Sequence, residues 1–346
     1  MLGLTSYLQH NGHRSVVATD PRGALYARLT QAELPTYPLK VRNHLDFSAG
    51  LSLRHMANTG SYDVIHFHTA RAHALSPWLS GLPVKRIVTR RMDYAIKPGK
   101  VTRLLYERSV DAVVAISDGV RAALQAGGVP LRHIRVIPSG IDTARFMQSS
   151  HLRNQVRAAH EIRSDEDVVL MVGALSERKG HSTLLHAAHH LQERGIRLRY
   201  LVCGDGPLRT TLETEARQLG LTENLQFLGF CPDVLGYLAA ADIFVHVPLW
   251  EGLGVAVIEA LAAGLPVIAS RVGGLPELID GHTTGVLVPP QDAVALAIAL
   301  ERVIQNRPWA KTLAQAGQTL VRTRFDVTVM AQANEALYYQ LLAGTR

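Results

Sequence analysis

The chain has 346 residues, of which 47% are apolar and 19% charged, with a formal net charge of +7. That balance excludes a disordered chain, and the length exceeds what one core usually serves, so two domains are expected. Two cysteines exclude a disulfide framework and a four-cysteine zinc site, and no apolar run reaches the ~18 residues of a membrane span unbroken. The best span candidate, Gly252 to Ser270, is interrupted by Gly254, Glu259, Gly264 and Pro266. A soluble, cytoplasmic, mildly basic α/β protein is the expectation.

Residues 1–14 lack a basic region followed by an apolar one, so no cleavable leader is read there. Leu2, Leu4, Tyr7 and Leu8 recur at helical spacing, Asn11-Gly12 stops that helix, and Ser15 to Thr19 reads as a buried strand. Further strands are expected at Val64–His68, Arg86–Thr89, Ala112–Ile116 and Ile134–Ile137. The second half adds Val168–Val172, Leu198–Val202, Leu225–Phe227, Ile243–Val247, Pro266–Ser270 and Gly285–Val288. Several are apolar on both faces, as in a parallel sheet covered by helices. Helices are expected between them at Ser117–Ala126, Ser182–Arg194, Leu208–Leu219 and Val255–Ala263. This alternation predicts two doubly wound, Rossmann-like domains. A boundary is expected within 139–166, giving domains at 1–147 and 148–326. A last helical segment, 327–346, carries apolar positions Met330, Leu337, Tyr338 and Leu341.

Four segments carry chemistry. The densest runs from Glu251 through Gly252, Leu253, Gly254 and Val255 to Glu259. Its glycines let backbone approach a ligand, and a helix beginning at Val255 would aim free N–H groups at a phosphate. The two acids suit two separate sets of hydroxyls; a glycine turn with two solvated glutamates would leave the same pattern. The second segment, Gly173 to Gly180, follows a strand and contains Arg178 and Lys179, a pair suited to a developing phosphate charge or to an exposed basic loop. The third, Gly204-Asp205-Gly206-Pro207, has strand, turn and helix start but Arg209 where a dinucleotide fingerprint needs glycine. In the fourth, alternation puts His66 and His68 on one face of a strand end, either as ligand contacts or as packed histidines. His186 and His190 have the i, i+4 spacing of a zinc helix but lack the glutamate after the first histidine, so a polar helix face is expected. Cys203 and Cys231 are expected to be free thiols.

Together these segments resemble glycosyltransferase family 4, retaining enzymes of GT-B fold. The matching pieces are Gly173…Lys179-Gly180, Gly204 to Pro207, Phe227-Leu228-Gly229, Glu251…Glu259, Val272 to Glu277 and Gly285 to Pro290. In the first half they are Asp63 to His68, Val114 to Ser117 and Val136 to Asp142. The resemblance implies two Rossmann-like domains facing across a cleft, with the last helix crossing back to the first domain. It implies a nucleotide-diphosphate sugar as co-substrate, no separate cofactor, no metal, and hexosyl transfer with retention to a hydroxyl of a growing glycan. Glu259 would bind ribose hydroxyls, Glu251 the donor sugar, and Lys179 the diphosphate; backbone around Leu253, Gly254 and Val255 would assist, and His68 would lie by the donor sugar.

Two departures stand out. Ala174 occupies a position where many members carry arginine, leaving Arg178 to compensate. The family also opens with a strand and glycine-rich loop that this chain, beginning at the following helix, is expected to lack. An epimerase of the same fold, or a catalytically impaired binding protein, are the competing readings. Lys85 to Arg108 holds eight basic residues, Arg90 and Arg91 among them, against Asp93 and Glu107. That stretch suits an anionic acceptor, such as a lipid-linked glycan at an anionic inner-membrane face, or a solvated basic surface. Aromatics do not interleave with it, which argues against nucleic acid.

Overall fold

The computed structural model describes residues 1–92, 96–147 and 149–344. Asp93 of the basic stretch, Gln148 at the expected boundary, and Thr345 and Arg346 lie outside the described residues. The chain forms two compact units, Met1–Gly140 with Val327–Arg346, and Ile141–Asp326.

In the first unit, strands β1 (Val17–Thr19) and β2 (Thr36–Pro38) form one parallel pair. Strands β3 (Val64–Phe67), β4 (Lys85–Arg90), β5 (Ala112–Ala115) and β6 (Ile134–Val136) form a second parallel sheet in that order. A cavity of about 770 Å³ borders both sheets, lined by Val17 and Ala18 on one side and Ile65 and Phe67 on the other. The expected strand over Ser15 to Thr19 is trimmed to its apolar end. The short β2, whose Thr-Tyr-Pro sequence carries no clear alternation, is an element the pattern did not announce.

The helix Leu2–His10 packs on the helix Val327–Ala343 through Leu4, Leu8 and Ala331. Approach is so close that a Cβ on Gly3 would stand 2.3 Å from Val327 Cγ2. Leu337 of the last helix joins Ile87, Ala112 and Val114 in a buried cluster, with Met330, Tyr338 and Leu341 packed against it. The apolar positions read from that segment are therefore its seat on the first unit's sheet.

The second unit holds β7 (Val168–Val172), β8 (Arg199–Cys203), β9 (Leu225–Gly229), β10 (Ile243–His246), β11 (Val267–Ser270) and β12 (Val286–Val288). All are parallel, in the order β12-β11-β10-β7-β8-β9. The chain winds outward from β7 through β9, then returns to pair β10 on the other side of β7. That reversal is where ligands bind in such sheets, at the carboxyl ends of the strands. Strands β7, β10 and β11 are almost wholly buried, which explains their unbroken apolar sequences.

The domain boundary lies earlier than the expected 147. The second unit begins at Ile141, because Ile141 N–H donates to the Phe325 carbonyl at 3.0 Å and Thr143 Oγ1 donates to Asp326 at 2.6 Å. These bonds tie the helix Thr143–Met147 to the second unit. The polar stretch after it serves the same unit. Arg157 is 6% exposed and donates to the Ala240, Arg163 and Glu166 carbonyls and to Asp242, whose carboxylate also accepts from Arg153 and from the Val168 N–H.

Removing one partner of such a buried ionic cluster leaves carbonyls and a carboxylate unpaired. Arg157→Leu is expected to lower the unfolding free energy by about 3 kcal/mol or more, measured by urea denaturation. A loss within the error of that measurement would show the cluster to be dispensable.

Candidate active site

The carboxyl ends of β7 and β10 adjoin, so the loop Gly173–Gly180 and the loop Val247–Gly254 meet there. Their meeting is fixed by backbone. Leu249 N–H donates to the Arg178 carbonyl at 2.8 Å, and Ser270 Oγ donates to the Pro248 carbonyl at 2.6 Å. Gly180 has φ of +70°, and a Cβ there would lie 2.0 Å from the Val247 carbonyl oxygen. Only glycine permits both that left-handed turn and that approach.

Lys179 Nζ donates to Glu251 Oε2, and Arg178 Nη1 lies 3.6 Å from Glu251 Oε1. The basic pair is thus not an exposed loop: the side chains of Lys179 and Arg178 are 13% and 26% exposed. Lys179 also lies over Gly173, where a Cβ would meet its Cδ at 3.4 Å. Glu251 is buried and accepts a third contact, from His246 Nε2 at 3.0 Å. Burial alone would raise its pKa, but the His246 hydrogen bond and the Lys179 charge together bring it down to about 2.

Gly254, with φ of +91°, caps the helix Val255–Ala262 in a left-handed turn. Leu253 and Gly254 are buried, whereas Val255 at the first turn is exposed, so the helix N-terminus faces outward beside Glu251. The segment Val272–Glu277 supports this turn: Gly274 N–H donates to the Glu251 carbonyl at 3.1 Å, and Leu275 packs where a Gly254 Cβ would be. The Gly204–Pro207 turn supports the other loop, through Leu175 N–H to Asp205 O at 3.0 Å and Leu208 N–H to Leu175 O at 3.1 Å. Two of the segments that carry the family resemblance are therefore buttresses.

Glu259, one turn into the helix, is partly buried. Burial raises its pKa to about 7, with Arg145 pulling it down and Asp233 pushing it up. Arg145 and Asp233 pair with each other at 2.8 Å, so neither cancels the burial.

His68, Arg90 and Arg91 belong to the first unit. His66 and His68 do share a face, with ring centroids 4.1 Å apart. His66 is structural, bonded to Tyr338 Oη and Thr89 Oγ1 at 2.7 Å each. His68 Nδ1 is buried without a hydrogen-bond partner among the described residues, and burial with the neighbouring His66 and Arg91 holds its pKa well below the usual value. Arg91 donates to Ser139 Oγ at 3.0 Å, and Arg90 to the Met92 carbonyl and Tyr106 Oη. Lys85 and Arg86 pair with Asp111, at 3.8 and 3.5 Å. The expected concentration of free charge is thus smaller than the count along the chain, because Asp111 lies just beyond the stretch. His186 reaches Glu215 at 3.1 Å on an exposed helix face, and the described residues hold no cluster of metal-ligating side chains. Cys203 and Cys231 are free.

Sequence reading missed His246. It is wholly buried at the end of β10, a polar residue in the run Ile243-Phe244-Val245-His246. That break in an otherwise apolar central strand was the available signal.

Two family models divide the chain: glycosyltransferase family 4 matches residues 1–145, and glycosyl transferases group 1 matches residues 153–320. A lipopolysaccharide core biosynthesis glycosyltransferase of Rhizobium meliloti is 31% identical over 85% of this chain and 79% of its own length. This chain belongs to the family 4 glycosyltransferases. Its fold is GT-B, two Rossmann-like units. A glycosyltransferase from Rickettsia africae superposes with a TM-score of 0.88 at 20% identity, over 99% of this chain and 93% of that one. Anabaena HepE, solved in complex with UDP and glucose, gives 0.85 at 22% identity, over 98% and 95%. No helix among the described residues is long and apolar enough to cross a membrane.

Glu259 allows a test on the protein alone. Its folded pKa, about 7, exceeds the ordinary 4.5, so the folded state holds the extra proton between those values. Stability therefore falls as pH rises through that window and stays reduced above it. Glu259→Gln is expected to raise the melting temperature by a few degrees at about pH 8 and to change it little at about pH 4. An equal shift at both pH values would remove the burial argument.

Proposed function

We propose that this glycosyltransferase moves a hexosyl group, with retention, from a nucleotide-diphosphate sugar to a hydroxyl of a glycan or lipid-linked acceptor in lipopolysaccharide, exopolysaccharide or related assembly. The observation that carries the reading is the grouping of Lys179, Arg178 and Glu251 at the sheet's reversal point, beside the exposed helix N-terminus at Val255. Cations and a helix N-terminus suit a diphosphate, while a carboxylate beside them suits sugar hydroxyls. The UDP and glucose named for the HepE structure and the lipopolysaccharide named for the Rhizobium relative support the same donor and acceptor classes.

In this reading the diphosphate draws Lys179 from Glu251, and the freed carboxylate accepts hydroxyl protons of the donor sugar. Glu259 accepts from the ribose hydroxyls. As the bond between the anomeric carbon and the phosphate oxygen lengthens, charge grows on the leaving diphosphate. Lys179, Arg178 and the Leu253 to Val255 backbone stabilise that charge more in the transition state than before it. The acceptor oxygen then bonds to the same face of the anomeric carbon, and its proton passes to the departing phosphate oxygen. No protein base is needed for that transfer. The two cations and the helix dipole do the electrostatic work that a metal would otherwise do. His68 is assigned to the donor sugar, and Arg90 and Arg91 to the acceptor side.

Lys179→Ala and Glu251→Ala are each expected to lower transfer by about a hundredfold or more, assayed by nucleoside diphosphate release with a mixed acceptor extract. Unchanged transfer in both would remove this site from the reaction. A panel of UDP-, GDP- and ADP-linked sugars should produce one clear thermal shift, which names the donor. Because a protonated Glu259 accepts poorly from ribose, donor affinity should tighten roughly tenfold between about pH 6 and about pH 8. A flat profile by calorimetry would detach Glu259 from the donor.

The remaining cations of the first unit, with exposed Val101 and Leu104 beside Lys100 and Arg103, fit peripheral contact with an anionic bilayer. Co-sedimentation with phosphatidylglycerol vesicles at low salt should retain the protein, and recovery in the supernatant would exclude that contact.

A further inference from the structure

We propose that His246 is a positioning residue for transfer: its neutral ring donates from Nε2 to Glu251 Oε2 and holds that carboxylate ionised and aimed when Lys179 turns to the diphosphate. The proposal takes from the preceding section that Glu251 meets the donor sugar and that Lys179 turns to the diphosphate.

The place of His246 in the fold makes the case. It ends β10, in the middle of the six-stranded sheet, with 0% of its surface exposed. An imidazole there costs desolvation that an aliphatic side chain would not, so it needs a polar purpose. Its Nδ1 has no hydrogen-bond partner among the described residues. The ring therefore spends its only described hydrogen bond on Glu251, at 3.0 Å.

The same oxygen, Oε2, accepts from both His246 and Lys179. The two donors differ in kind. Lys179 reaches Oε2 on a flexible four-carbon stem and can leave for a better anion. His246 is anchored by a central strand and lies near-parallel to the Phe244 ring, 19° between planes. It cannot follow. Once Lys179 is drawn away, Glu251 loses a charge-assisted bond and, being buried, would take up a proton more readily if His246 were absent.

The groups that face His246 are Glu251, Lys179, Arg178 and His181. Burial and the Lys179 and Arg178 charges oppose a charged ring, while Glu251 favours one; the balance lowers its pKa. A neutral ring that donates from Nε2 leaves Nδ1 bare, which is the nitrogen found without a partner.

The tests separate this claim from the assignment of the reaction. In ligand-free protein, ¹⁵N spectra of labelled histidine should show His246 protonated on Nε2 and bare on Nδ1 between about pH 5 and about pH 8. A proton on Nδ1, or a doubly protonated ring, would overturn the proposal. The ¹³C carboxyl signal of Glu251, assigned with Glu251→Gln, should stay flat over that range. In Lys179→Ala, which removes the ammonium as capture by a diphosphate would, it should stay flat, begin to titrate once His246→Leu is added, and return to flat with His246→Gln, whose amide can donate from nearly the same place. A flat signal in the Lys179→Ala, His246→Leu double variant would overturn it equally. In steady state, His246→Leu should lose about tenfold to a hundredfold in kcat with little change in donor KM, and His246→Gln should recover most of it. Equal losses in both variants, or none in His246→Leu, would count against a positioning role. If His246→Leu does not fold, the wild-type ring spectrum and His246→Gln decide. If the wild type transfers no sugar, the proposed function fails while the two spectroscopic arms still decide the His246–Glu251 bond.

Discussion

A buried carboxylate with three basic neighbours organises the second unit. Glu251 is driven toward protonation by its surroundings and held ionised by Lys179, Arg178 and His246. That pairing requires two loops, more than seventy residues apart along the chain, to touch within hydrogen-bond distance. Much of the local structure can be read as serving that requirement. The reversal of the winding sets β10 beside β7. Glycine at 180 lets the loops close. Ser270, Gly274 and the Gly204–Pro207 turn fix the backbone from behind.

The two carboxylates of the site face opposite electrostatic conditions. Glu251 has cations at both oxygens, while Glu259 has a nearby arginine already engaged by Asp233. One is therefore poised as a fixed anion and the other near neutrality at ordinary pH. Same residue type and same loop–helix segment, yet the environments separate their chemistry.

Much of this architecture was legible in the chain. β7 is legible to the residue, because Val168–Val172 is an unbroken apolar run bounded by charge and glycine. The helix starting at Val255 was equally plain, since Gly254 can adopt the left-handed cap and nothing after it breaks the pattern until Gly264. The candidates Lys179, Glu251 and Glu259 follow from spacing and resemblance. Their pairing does not, because only the strand order reveals that Lys179 and Glu251 adjoin. β2 escaped for lack of length and alternation. The start of the second unit at Ile141 lies inside the expected 139–166, but its exact place is set by bonds to Phe325 and Asp326, far along the sequence. The basic stretch looked stronger than it is, since Asp111, which neutralises two of its members, lies outside it.

The Lys179–Glu251 contact also bears on selectivity. A small anion that captured the ammonium group would leave the acid beside it with Arg178 and His246 alone, gaining on one side what it forfeits on the other. A molecule bearing phosphate and hydroxyls at the right separation satisfies both partners at once. On the proposed reading, the internal ion pair would act as a filter, discouraging stray phosphate and rewarding a bifunctional guest.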